Sequence, residues 1–218
     1  MKQIFISGAS ITYGVGGPNG GWADMIKQKI HSLQYSNTKS FKERYQVYNF
    51  AKPGAVVEDI VKSLPSDIKY RKNKNSEIVI IISVGLNNSK SIGNAKNYIS
   101  SLSSYSKSIE LLFKKCKTLT ENIIFVGYTP VNENVANQGK SPIDNKRRYF
   151  FNSRIKKFNI KCKKLSQKHG VKFVDLFDRA LLINWNKYLA ADGLHLNNLG
   201  HKWVFNKTWN LLKNFIEL

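Results

Sequence analysis

This chain of 218 residues is short of cysteine and of acidic residues: two cysteines, and 14 Asp and Glu against 35 Lys and Arg. The two cysteines, Cys116 and Cys162, each fall on the apolar stripe of a predicted helix. They read first as buried free thiols, second as a structural disulfide and last as a reactive thiol. No Cys/His cluster has metal-ligand spacing, and no metal is expected. The longest wholly aliphatic run, 78–82, is far short of a membrane span. The chain enters a strand at once, without a basic segment leading into an apolar one, so a soluble, cytoplasmic protein is expected. No repeat, linker or low-complexity segment interrupts it.

The shortage of acids leaves a formal net charge of +21. One reading is a solvated surface in a chain rich in Lys, Asn and Ile; the second is an anionic polymer or surface as partner. The lysines are spread over helix faces rather than gathered in one block, which favours the first and argues against nucleic acid. With 42% hydrophobic residues, 218 residues can bury a sizeable core, so one domain over 1–218 is expected.

Strand-like and helix-like segments alternate. Residues 4–6 form a short buried strand closed by Gly8, and 22–33 an amphipathic helix. Residues 45–50 read as a second strand and 55–64 as a short helix stopped by Pro65. The near-continuous apolar run 76–84 has the pattern of a central parallel strand buried on both faces. A long helix over 95–116 and a strand over 123–127 follow, then a polar loop over 129–146, long enough to cover a site. The most basic helix spans 147–169. A strand over 171–174, a short helix or turn over 176–183 and a closing helix over 198–216 complete the chain. This alternation predicts an α/β fold: a parallel sheet with right-handed crossovers and helices on both faces.

The glycine-rich stretch 14–21 reads as a flexible loop. It is not a P-loop, because no Gly-Lys-Ser/Thr closes it, and Asn19 stands where a dinucleotide fingerprint needs its third glycine. Ser10 also fails the α/β-hydrolase elbow, having Thr12 where that motif has glycine. Yet Ser10 lies just past the first strand, at the rim where open α/β sheets keep their ligands. Alone, Ser beside Gly is turn chemistry. Near the other end, Asp192 precedes His195 by three residues, close enough to hold the imidazole Nδ1–H and leave Nε2 free to take a serine proton. The alternative there is a helix entry with Asn197 or Asn198 as N-cap and a surface histidine. His201, six residues on, reads as a surface or packing residue.

Between these ends stand Gly54, after the second strand, and Asn87, after the third. Four short blocks in this order, Ser10, Gly54, Asn87 and Asp192/His195, resemble the SGNH (GDSL-type) serine hydrolases, from Ile4 to about Val204. The resemblance implies a flavodoxin-like three-layer α/β/α fold with five strands in the order 2-1-3-4-5. It implies Ser10 as nucleophile, His195 as base and Asp192 as the acid that orients it. The Ser10 and Gly54 amides and the Asn87 side chain become the oxyanion hole, and no cofactor is required. Two residues depart from the pattern: Ala9 and Asn88 each stand where the family has an aspartate, and both are expected at or directly beneath the mouth of the site.

The expected activity is hydrolysis of a short-chain ester, acetyl first, on a small molecule or carbohydrate, through an acyl-enzyme on Ser10. Tyr13, Trp185 and Tyr188 are the expected substrate-binding residues. The alternatives are a carbohydrate O-acetyltransferase, a lysophospholipase or thioesterase, and, given Ala9 and Asn88, a non-catalytic binding protein of the same fold. A binder of anionic polymers is the alternative that the charge suggests.

Overall fold

The computed structural model describes residues 1–35, 44–141 and 144–216, so positions 142–143 of the long loop lie outside the described residues. In chain order its elements are β1 (Lys2–Gly8), α1 (Ser10–Tyr13), α2 (Trp22–Tyr35), β2 (Tyr45–Asn49), α3 (Val57–Arg71), β3 (Glu77–Ser83), β4 (Ser91–Ile92) and α4 (Leu102–Lys117). They continue with β5 (Ile123–Val126), α5 (Glu133–Ala136), β6 (Arg148–Tyr149), α6 (Asn152–Lys168), β7 (Lys172–Val174), α7 (Phe177–Ala180) and α8 (Asn198–Leu212). The main sheet is parallel, in the order β2-β1-β3-β5-β7. Counting its five strands alone, this is the expected 2-1-3-4-5.

Side chains two apart on a strand share a face, and that alternation sorts the core into two layers. Phe5, Ile78, Ile80, Ile82 and Phe125 pack under α3, α4 and α6 with Ile60, Leu64, Ile109 and Phe158. Ile4, Ile6, Val79, Ile81 and Val126 pack under α2 and α8 with Trp22, Ile26 and Val204. All of these are buried. The register sets Gly8 beside Ser83, so the chain leaves β1 and β3 at neighbouring points of the C-terminal edge.

Three expected boundaries move. Helix α3 runs through Pro65 to Arg71 instead of stopping. A proline lacks the N–H that would bond the carbonyl four residues back, but the Val61 carbonyl accepts from Lys115 Nζ at 3.1 Å instead. The helix expected from 95 begins at Leu102, where Ser101 Oγ caps it by accepting from the Ser104 amide at 3.0 Å. The basic helix starts at Asn152, because Arg148 and Tyr149 are drawn into a two-stranded ribbon with Ser91 and Ile92. Cys116 and Cys162 are free and buried, and burial pushes both thiols up to about 12.

Candidate active site

The C-terminal edge of the sheet gathers the predicted residues. Ser10 opens α1, where the first amides of a helical turn have no acceptor of their own. Gly54 is the third residue of a tight turn closed by Ala55 N–H to Lys52 O at 3.1 Å. Its φ of +81° suits glycine, and the turn's own hydrogen bond leaves the Gly54 amide unused. Asn87 begins a single 3-10 turn after β3. Its Nδ2 donates to Ala55 O at 3.0 Å, tying it to the Gly54 turn, and its Oδ1 accepts from Lys90 Nζ at 3.3 Å. Those two bonds fix which way the amide faces. One of its two Nδ2 hydrogens stays unused.

Asp192 and His195 approach from the loop before α8. One carboxylate oxygen of Asp192 accepts from the amides of Leu194 (3.0 Å) and His195 (2.9 Å). The other lies 2.5 Å from His195 Nδ1. Held this way, the ring carries its proton on Nδ1 and turns Nε2 toward Ser10 Oγ, 2.9 Å away. Burial would raise the Asp192 carboxyl, but the hydrogen bonds from the His195 ring and the two amides hold it well below the usual carboxylate range. Gly193, at φ +67°, is pressed by α5: a Cβ there would meet Val135 Cβ at 2.8 Å. The Asn132 amide also donates to Gly193 O at 2.8 Å. The long loop thus braces the turn that carries Asp192 and His195.

Ser10 and Asn87 line one cavity, whose apolar walls include Ile11, Leu86, Val126, Leu176 and Leu194. The predicted substrate-binding residues are placed less uniformly. Tyr13 is 57% exposed, on the same helical turn as Ser10. Trp185 is buried, gives its Nε1–H to Pro130 O at 2.8 Å, and stacks on Tyr188 with ring centroids 5.3 Å apart. An indole spent in this way supports the loop and does not face the cavity.

Of the two departures from the family pattern, Asn88 has a structural account. Asn88 is fully buried beneath the site. Its Oδ1 accepts from the Val57 amide at the start of α3 (3.0 Å), and its Nδ2 donates to Glu58 Oε2 (2.9 Å) and Ser100 Oγ (3.1 Å). An aspartate there would lose that donor and set a second carboxylate against Glu58. Ala9 is half-buried, packed on the core, and gives its amide to Ser83 O at 3.2 Å.

Sequence reasoning missed Lys90, which meets Asn87 because it closes the same 3-10 turn, its amide donating to Asn87 O at 3.2 Å. His201 is the packing residue of the two options: fully buried, it accepts from the Trp22 amide at Nδ1 (3.3 Å) and donates from Nε2 to Val15 O (3.1 Å). It thereby pins both ends of the stretch after Ser10 that had read as a flexible loop. Asn197 does cap α8, accepting from the Gly200 amide, so the helix entry and the Asp192–His195 pair coexist. Among the described residues no cluster of three or more His, Cys, Asp or Glu side chains could hold a metal ion, and no helix is long and apolar enough to cross a membrane.

Comparison with solved structures gives a lipase/acylhydrolase from Enterococcus faecalis, 18% identical, covering 100% of this chain and 98% of that one with a TM-score of 0.74. An acetyl xylan esterase, AlAXEase, is 16% identical over 96% of this chain and 99% of its own, TM-score 0.70. A catalytic mutant of an acetylxylan esterase from Geobacillus stearothermophilus is 15% identical over 96% and 93%, TM-score 0.68. No curated protein matches by sequence. At such identities the likeness speaks for the fold. A family model goes further, matching residues 4–208, nearly the whole chain that carries the four blocks: the protein belongs to the GDSL-like lipase/acylhydrolase family.

Proposed function

We propose that the protein is a serine ester hydrolase that works through an acyl-enzyme on Ser10, with a short-chain ester, acetyl in the simplest case, on a carbohydrate or other small alcohol as substrate. One observation carries this reading: Ser10 Oγ lies 2.9 Å from His195 Nε2, and His195 Nδ1 lies 2.5 Å from Asp192. Ser10 Oγ attacks the ester carbonyl as its proton passes to His195 Nε2, and the imidazolium that forms is stabilised by Asp192. The carbonyl oxygen, now negative, takes hydrogen bonds from the Ser10 and Gly54 amides and from the unused Asn87 Nδ2–H. Each such donor contributes about 10²–10³ in rate. The proton on His195 leaves with the alcohol. Water then attacks the acyl group, gives a proton back through His195 to Ser10, and releases the acid.

The choice of a short acyl group is supported by the small volume, about 40 Å³, of the cavity beside Ser10. The choice of a carbohydrate draws on the likeness to two acetyl xylan esterases. The test is labelling with a fluorophosphonate and turnover of p-nitrophenyl acetate. Ser10 is expected to be the labelled residue. Ser10→Ala is expected to keep its fold and lose about 10⁴-fold or more in kcat. A folded Ser10→Ala protein with wild-type turnover overturns the assignment.

A further inference from the structure

Lys90 is placed unlike the paired lysines of α6. Lys156, Lys163 and Lys168 each meet a carboxylate, whereas Lys90 Nζ donates to an amide oxygen, Asn87 Oδ1, at 3.3 Å. The carboxylate that acts on it, Asp144, is paired with Arg148 at 2.7 Å. Hydrogen bonds hold the backbone of Lys90 on both sides: its amide donates to Asn87 O, and its carbonyl accepts from the Ile99 amide at 3.2 Å. Next in the chain, Ser91 pairs with Tyr149 in the ribbon, and one residue before, Ser89 O accepts from Arg154 Nε at 2.9 Å. The side chain is half-buried. Burial and the Arg148 guanidinium lower its pKa, and Asp144 offsets this only in part. An ammonium that has given up water for one neutral oxygen is a site where added negative charge is favoured.

On the esterase reading that charge develops one side-chain amide away. Asn87 Nδ2–H meets a negative oxygen only when Ser10 has attacked and the ester carbonyl has become tetrahedral. A cation on Oδ1 draws electron density across the amide and makes the Nδ2–H a stronger donor, since hydrogen bonds in series strengthen one another. The cation is in place before the reaction begins, so no reorganisation is needed as the oxyanion forms.

Resting on the esterase reading of Ser10, we propose that Lys90 is a positioning residue of the oxyanion hole. Its ammonium, held on Asn87 Oδ1, fixes the Asn87 amide and polarises it to bind the transition-state oxyanion more tightly than the neutral ester carbonyl. An interaction that strengthens only as the oxygen becomes negative acts on kcat and leaves KM nearly unchanged.

The experiment compares a charged and a neutral donor of the same reach. In a Lys90→Cys protein, alkylating the new thiol with 2-bromoethylamine rebuilds an ammonium on a chain as long as that of lysine. Iodoacetamide instead places an uncharged amide N–H there. Cys116 and Cys162 are buried with thiols pushed up to about 12, so the new thiol is the one that reacts. On p-nitrophenyl acetate, Lys90→Cys is expected to lose about tenfold in kcat, less than the loss of a whole oxyanion donor, with KM little changed. Aminoethylation is expected to restore most of that kcat and carboxamidomethylation to leave it low. Equal recovery with both reagents, or a folded Lys90→Cys protein with wild-type kcat, overturns the proposal. Lys90→Met carries the test if the new thiol does not react. Wild-type kcat should then fall on the alkaline side as Lys90 loses its proton, below the ordinary lysine value of 10.5, and the variant should start low and lack that limb. The charged and titratable groups around Lys90 are Arg148 and Tyr149 on β6, Asp144 before them, Arg154 on α6, and Glu58 on α3, which meets the same turn at Asn88. All are present in both proteins, so a limb that persists in Lys90→Met belongs to one of them and overturns the proposal. If the wild-type protein hydrolyses no ester, the esterase reading falls and the role of Lys90 with it. If Ser10→Ala loses turnover while Lys90→Met keeps it, the esterase stands and the role of Lys90 falls.

Discussion

His201 shows how a residue that does not touch Ser10 can govern where the neighbours of Ser10 sit. Its two ring nitrogens hold the Trp22 amide and the Val15 carbonyl, groups 179 and 186 positions away. That pattern needs a neutral ring with its proton on Nε2. Adding a second proton would place an N–H against the Trp22 N–H. Burial lowers the His201 pKa, and the Val15 carbonyl offsets this only in part. The sign follows from proton counting: below the ordinary histidine value of about 6.5 the unfolded chain takes up a proton that the folded one resists. The contribution of His201 to stability is therefore complete above that value and is lost as pH falls through the lowered folded value. Urea midpoints are expected to drop between pH 7.5 and pH 5.0, and to drop less in His201→Gln, whose amide can still accept from one side and donate to the other. An unchanged slope in the variant would assign the acid sensitivity to other groups. Such roles were not legible in the sequence, since nothing near His201 in the chain announces Val15. Ser10, Asp192 and His195 were legible as candidates only as a set: each alone also read as turn or helix-entry chemistry, and it was the four blocks in order along the chain that singled them out.

At the scale of whole elements, strands proved easier to read than helix ends. The run from Ile78 to Ile82 had the pattern of a doubly buried strand, and it lies at the centre of the sheet. Pro65 misled because the rule against proline in a helix describes the local chain, whereas the carbonyl it orphans can find a partner elsewhere. Here the partner is Lys115 of α4, 54 positions away. The expected consequence is a coupling between two helices. Lys115→Met should cost about 1 kcal/mol in urea unfolding, the order of one hydrogen bond to a charged group that is partly open to solvent. In a Pro65→Ala background, where a backbone N–H can serve Val61 O, the same change should cost measurably less. Equal costs in both backgrounds would mean that Lys115 stabilises α3 by some route other than the Val61 carbonyl.

Across the molecule, the imbalance of 35 basic against 14 acidic side chains outweighs any single ion pair. The basic helix α6 does find partners: Lys156 with Asp178 (3.0 Å), Lys163 with Asp175 (2.6 Å) and Lys168 with Glu110 (2.8 Å). Pairs as exposed as these contribute from nothing to about 1 kcal/mol each. Other acids are committed elsewhere, Asp192 to His195 and Glu58 to Asn88 and Ser108. Even if every acid paired once, 35 − 14 leaves 21 cations without one. The compact state therefore carries net self-repulsion that unfolding relieves. Added salt weakens the attraction within the pairs and the repulsion among the rest, and the two effects oppose each other. The repulsion acts over longer distances, so shortening the Debye length from about 30 Å at 0.01 M to about 10 Å at 0.1 M removes more of it. Sodium chloride over that range is expected to raise Tm, by about 2–4 °C for each 1 kcal/mol relieved. Replacing the exposed Lys157 and Lys164 of α6 with glutamine should raise Tm at low salt and shrink the further gain from salt. A Tm that falls as salt is added would show that the ion pairs outweigh the excess charge, and the same two substitutions would then leave low-salt stability unimproved.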